Sequence, residues 1–97
     1  MKIDLNRCFK DFYGKDTNKS MAEGVAEALY AAGSVPEGRI FTREEKFSIY
    51  KIMQQILAGE GVIEIETEQA TLIKEVTAEY FNAGGYGQIA ELIEKGG

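Results

Sequence analysis

Ninety-seven residues are enough for one domain (1–97) with a modest core and too few for two. Hydrophobic residues at 44% and charged residues at 28% are ordinary proportions for a globular chain, and no run approaches the ~18 apolar residues of a membrane span. The net charge of −5 is unevenly spread: residues 1–51 hold nine Lys/Arg against eight Asp/Glu, residues 52–97 only two against eight. An acidic second half repels nucleic-acid phosphate, so nucleic acid is not the expected partner, and it suits solubility or a basic protein surface. No basic-then-apolar leader opens the chain, and the lone Cys8 cannot form an internal disulfide, so a cytoplasmic protein is expected. Cys8 reads as a small buried hydrophobe rather than a reactive thiol.

Lys2-Ile3-Asp4-Leu5 alternates as a strand with Ile3 and Leu5 inward. Phe9, Phe12 and Tyr13 follow and end in Gly14-Lys15-Asp16; a hairpin turning near Tyr13-Gly14 would lay these rings on a small core. Ser20-Met21-Ala22-Glu23 has the form of a capping box and starts a helix in which Met21, Val25, Leu29 and Ala32 recur on one face until Gly33. Its alanines and Gly24 keep that helix thin enough for close approach. Ser34-Val35-Pro36-Glu37-Gly38 is a surface turn.

The strongest element starts at Thr42, where Thr42 and Glu45 form a second capping box. Ile49, Ile52, Met53 and Ile56 then fall at i, i+3, i+4 and i+7, with Tyr50 and Leu57 widening the stripe and Gly59 ending it. Val62–Glu66 is a second strand with Ile63 and Ile65 inward and Glu64 and Glu66 in water. Thr67 is placed to cap a third helix whose shared face is Leu72, Ile73, Val76, Tyr80 and Ala83. Asn82-Ala83-Gly84-Gly85 breaks it, and Tyr86, Ile89, Ala90, Leu92 and Ile93 form a last amphipathic helix ending at Gly96-Gly97. These elements predict an α+β domain of about four helices packed on a small two- or three-stranded sheet, with strands 2–5 and 62–66 as partners. The alternative is an all-α bundle in which Val62–Glu66 is an extended connector.

Histidine is absent, which removes the commonest general base, zinc ligand and triad partner. Gly85-Tyr86-Gly87-Gln88-Ile89-Ala90 matches a dinucleotide fingerprint, but that fingerprint works only after a strand and with an acidic residue ~20 positions later. Here a helix precedes it, and the glycines read as a joint between helices. No catalytic, cofactor-binding or metal-ligating residues are expected, and the protein is expected not to be an enzyme. Two surfaces remain. Glu64, Glu66, Glu68, Glu75 and Glu79 could form an acidic face, although glutamates at helical spacing are most often a solvated one. Phe47 lies opposite the aliphatic face, amid Arg43, Lys51 and Gln54. Either Phe41 and the 34–41 loop fold over it, or it is an exposed anchor for a protein partner; its polar rim favours the anchor.

The opening Met-Lys-Ile-Asp-Leu-Asn-Arg-Cys-Phe-Lys-Asp-Phe-Tyr-Gly-Lys-Asp resembles the start of small phage- and prophage-encoded proteins, in which a hairpin precedes two or three helices. Phe81–Ile93, with its Asn-Ala-Gly-Gly-Tyr-Gly-Gln core, resembles the helical ending of the same group. The resemblance implies a mobile-element origin and a host-cytoplasm setting, and it carries over no site residues. The expected function is a non-enzymatic interaction protein that binds another protein or itself. The alternatives are an acidic inhibitor occupying a basic, nucleic-acid-binding surface of a host enzyme, and a virion assembly factor.

Overall fold

The computed structural model describes residues 1–95 as β1 (Lys2–Asp4), β2 (Cys8–Lys10), β3 (Asp16–Ser20), α1 (Met21–Tyr30), α2 (Arg43–Ala58), β4 (Val62–Glu64), α3 (Thr67–Tyr80) and α4 (Ala83–Lys95). The fold is α+β. Strands β1 and β4 pair antiparallel with Ile3 opposite Ile63, and β2 and β3 form a separate antiparallel hairpin. The first pairing is what rules out an all-α bundle. It continues beyond the strands, since the Ile65 amide donates to the Met1 carbonyl (2.8 Å) and the Leu5 amide to Gly61 (2.7 Å). Alternation then sends Ile3, Leu5, Ile63 and Ile65 into the core while Glu64 stays in water.

Helix α2 is the central element, packed on α1, α3 and β4. Its capping box is formed in both directions: the Glu45 amide donates to the Thr42 hydroxyl (3.1 Å), and the Thr42 amide to the Glu45 carboxylate (2.9 Å). Ile49, Ile52, Met53 and Ile56 are buried as their spacing predicts. Each such side chain removed from water stabilises by about 1.5–3 kcal/mol. At α1 only half of the predicted box exists, with the Ser20 hydroxyl accepting from the Glu23 amide (3.2 Å). Met21, Val25, Ala26, Ala28 and Leu29 fill the α1 face of the core. The turn at Pro36 closes by a Gly38 amide bond to the Val35 carbonyl (3.0 Å).

Several boundaries and faces differ from the sequence expectation. The cap of α3 is Glu66 rather than Thr67, and the Glu66 amide donates to the Gln69 side chain (2.8 Å). Tyr80 is exposed at the end of α3, where Ala70 and the fully buried Thr77 complete the inner face instead. The Thr77 hydroxyl satisfies itself on the Ile73 carbonyl (2.7 Å). The break between α3 and α4 lies at Phe81-Asn82, and Gly84, Gly85 and Gly87 lie inside the first turns of α4 rather than in a joint. Asn82 caps that helix by accepting from the Gly85 amide (3.0 Å). The expected stop at Gly96-Gly97 lies outside the described residues. Cys8 is a free thiol, half-buried rather than buried.

The hairpin is attached to the body from two sides. Phe9 stacks obliquely on Phe81 with centroids 5.4 Å apart, and Phe81 meets Tyr80 edge-on at 5.2 Å. The Gln88 amide group binds both main-chain groups of Lys10, accepting from its N–H (2.8 Å) and donating to its carbonyl (3.0 Å). A side-chain carboxamide thus takes the place of a neighbouring strand along β2. Only Phe9 of the aromatic cluster packs on the core, contrary to expectation; Phe12 and Tyr13 stand outside it.

Candidate functional site

The side of α2 turned from the core carries the predicted anchor. At 100° per residue Leu57, Tyr50, Arg43, Gln54 and Phe47 fall within an arc of about 80°, opposite Ile52 and Ile56. Phe47 is 62% exposed, Leu57 58% and Tyr50 45%. Tyr50 and Leu57 therefore do not widen the buried stripe; they belong to a second, outward apolar stripe. Phe41 is buried in the core and does not roof Phe47 over. Neighbouring polar groups hold the outward stripe in shape. The Lys51 ammonium sits 5.3 Å from the Phe47 ring centre, and the Gln54 amide donates to the Tyr50 hydroxyl (3.2 Å), both pairs at i, i+4. Arg43, Lys46 and Lys51 against Glu44 give this face a positive balance on a chain of net charge −5.

The expected acidic face is divided by the structure. Arg39, in the loop between α1 and α2, lies over the Phe41 ring at 4.5 Å and reaches two helices at once. Its guanidinium bonds Glu45 of α2 (2.7 Å) and Glu75 of α3 (2.8 Å), and its main-chain N–H donates to Glu79. Hydrogen bonding to Glu45 raises the Arg39 pKa still further. The Thr42 amide, and then Arg39, hold the Glu45 carboxyl below the usual carboxylate range. Glu75 and Glu79 thus serve to strap the loop to α3. Glu64 faces the N-terminal ammonium at 3.4 Å, and Glu66 stands at a helix cap. Glu68 is exposed in the first turn of α3.

A third feature was not anticipated. The hairpin, α1 and the α3–α4 junction enclose an open cleft of about 970 Å³. Phe9, Phe12, Tyr80 and Phe81 supply its aromatic lining, and its charged lining is mixed, with Glu23 and Glu27 from α1 beside Lys10 and Lys19 of the hairpin. At its mouth Phe12 is 96% exposed and Tyr13 82% exposed. Asp11, whose carboxylate accepts from the Tyr13 and Lys15 amides, closes the loop that carries these rings; no local pattern signals the cleft, because residues 9–20, 23–27 and 80–88 meet only in the folded chain.

No family model, curated protein or solved structure matches this chain. The sites therefore rest on their own geometry. Among the described residues, no group of three or more Cys, Asp or Glu side chains is placed to hold a metal ion, and no helix is long and apolar enough to cross a membrane.

Proposed function

We propose that this chain is a non-enzymatic interaction protein that docks another protein on the outward face of α2. The observation that carries the reading is the exposure of Phe47 in line with Tyr50 and Leu57 on a helix whose other side already fills the core. An aromatic ring rimmed by Arg43, Lys51 and Gln54 has the form of an interface anchor, in which a few apolar side chains supply most of the binding energy and the polar rim excludes water. The positive balance of the face fits a partner with an acidic rim around an apolar groove. The resemblance of the opening and closing segments to phage and prophage proteins supports a host-cytoplasm setting for that partner. The acidic-inhibitor alternative is the weaker proposal, because Glu75 and Glu79 are engaged by Arg39 within the fold.

The test pairs a melt with a capture experiment. Phe47→Ala is expected to change unfolding free energy by less than about 0.5 kcal/mol, as for an exposed side chain. It is expected to weaken capture of a partner by more than about 1 kcal/mol. A partner retained equally by the wild type and by Phe47→Ala, with Leu57→Ala also without effect, sinks the proposal.

A further inference from the structure

The outward stripe of α2 has a period as well as an exposure. Arg43, Phe47, Tyr50, Gln54 and Leu57 follow one another at intervals of four, three, four and three residues, along the whole helix. That spacing is the a/d seam of a heptad, and the buried Ile49, Ile52 and Ile56 take its c and f positions on the far side. All five seam side chains are exposed. Successive side chains of such a seam rise by about 5 Å on average. They border holes that accept knobs of the same period, and another helix supplies that period. Same-face side chains of a strand recur every ~6.7 Å and fall out of step with the holes by the second contact.

The flanks of the seam set the charge of what it can take. Lys46 stands on one side at position g, and Lys51 and Glu44 on the other at position e. Among the described residues Arg43, Lys46 and Lys51 form no ion pair, whereas Arg39, Lys74 and Lys95 each hold a glutamate. A helix with carboxylates at its own e and g positions would pair these cations. A second copy would instead set three cations and one acid against the same set, so like charge opposes self-pairing. Inside the seam, Gln54 holds an a position and donates to the Tyr50 hydroxyl (3.2 Å). A polar group at a requires a polar group opposite, which fixes the register of the docked helix.

We propose that the occupant of this face is a single α-helix of another protein, laid along α2 as a coiled coil. That helix carries apolar side chains at a and d, a polar one opposite Gln54, and acidic residues at e and g. The proposal rests on docking at α2 and adds the secondary structure, period and charge of the partner. The partner's apolar groove is then the row of holes along one helix, and its acidic rim is the e and g carboxylates.

Two synthetic peptides of about four heptads, long enough to hold a helix on docking, serve as probes for the full chain. Both carry Leu at a and d with one Asn at a; one has Glu at every e and g, the other Lys, so that neither pairs with itself. In calorimetric titration the acidic peptide is expected to bind one-to-one, at least about tenfold tighter than the basic one, and more weakly as salt rises. Phe47→Ala or Leu57→Ala is expected to weaken it by about tenfold or more with the melting curve unchanged. Lys46→Glu with Lys51→Glu is expected to reverse the preference between the peptides. Binding of neither peptide, equal binding of both, or binding indifferent to Phe47→Ala overturns the proposal. So does a wild type that sediments as a dimer lost in Phe47→Ala, since the occupant is then a second copy. If a captured protein depends on Phe47 and neither peptide binds, the helical partner falls while docking on α2 stands; if capture is also indifferent to Phe47, both fall.

Discussion

Two glycines in matching backbone states and unlike surroundings allow steric crowding to be separated from backbone strain. Gly14 has φ +83° and Gly61 φ +95°, both in the region that disfavours side chains. A methyl group added at Gly14 meets nothing within 4 Å, whereas one at Gly61 would lie 3.0 Å from the Asn6 amide nitrogen and 3.2 Å from the Ala22 methyl. Gly61 is also buried, with its carbonyl accepting from Leu5 and its amide donating to Ile56 (2.9 Å), so backbone retreat breaks the junction of α2 with β1. Gly14→Ala should cost about 1–2 kcal/mol for the left-handed conformation, less about 0.4–1 kcal/mol for restricting the unfolded chain. The net is about 1 kcal/mol. Gly61→Ala carries the same term plus about 1–3 kcal/mol of overpacking, or about 2–4 kcal/mol in all. Urea unfolding of both variants, with slopes compared to confirm two-state behaviour, reads the difference directly. Equal losses in the two variants would refute the claim that contact with Asn6 and Ala22 matters.

Ile56→Ala, at a side chain 1% exposed, should cost about 2–5 kcal/mol in the same assay. A loss below about 0.5 kcal/mol would mean that α2 faces the other way. The Arg39 strap predicts an acid-side dependence of stability. The depressed Glu45 carboxyl contributes stability fully above its unfolded value near 4.5, and that contribution is lost as pH falls through the lower folded value. Glu45→Gln should therefore flatten the fall in stability below about pH 4.5, and a melting profile as steep as the wild type's would refute this.

Local periodicity carried much of this fold. The Thr42–Glu45 capping box, the i, i+3, i+4, i+7 spacing of Ile49, Ile52, Met53 and Ile56, and the alternation at Ile3–Leu5 and Ile63–Ile65 are short-range patterns that survive folding. They determined which faces are suited to burial, and they placed Phe47 opposite the core. They do not state which neighbour will arrive, or how far its cover extends. Tyr50 and Leu57 lie beside the Met53 edge of the buried stripe though opposite Ile52 and Ile56, and α1, α3 and β4 approach α2 from elsewhere and leave both exposed. Glu75 and Glu79 form a regular acidic stripe in sequence, but Arg39, some forty residues earlier, captures both through contacts no local pattern encodes. Phe12 and Tyr13 are apolar enough for a core, and a loop closed by Asp11 turns them away from it. Tertiary structure alone decided these outcomes, because burial and charge pairing depend on chain segments brought together only when the whole domain closes.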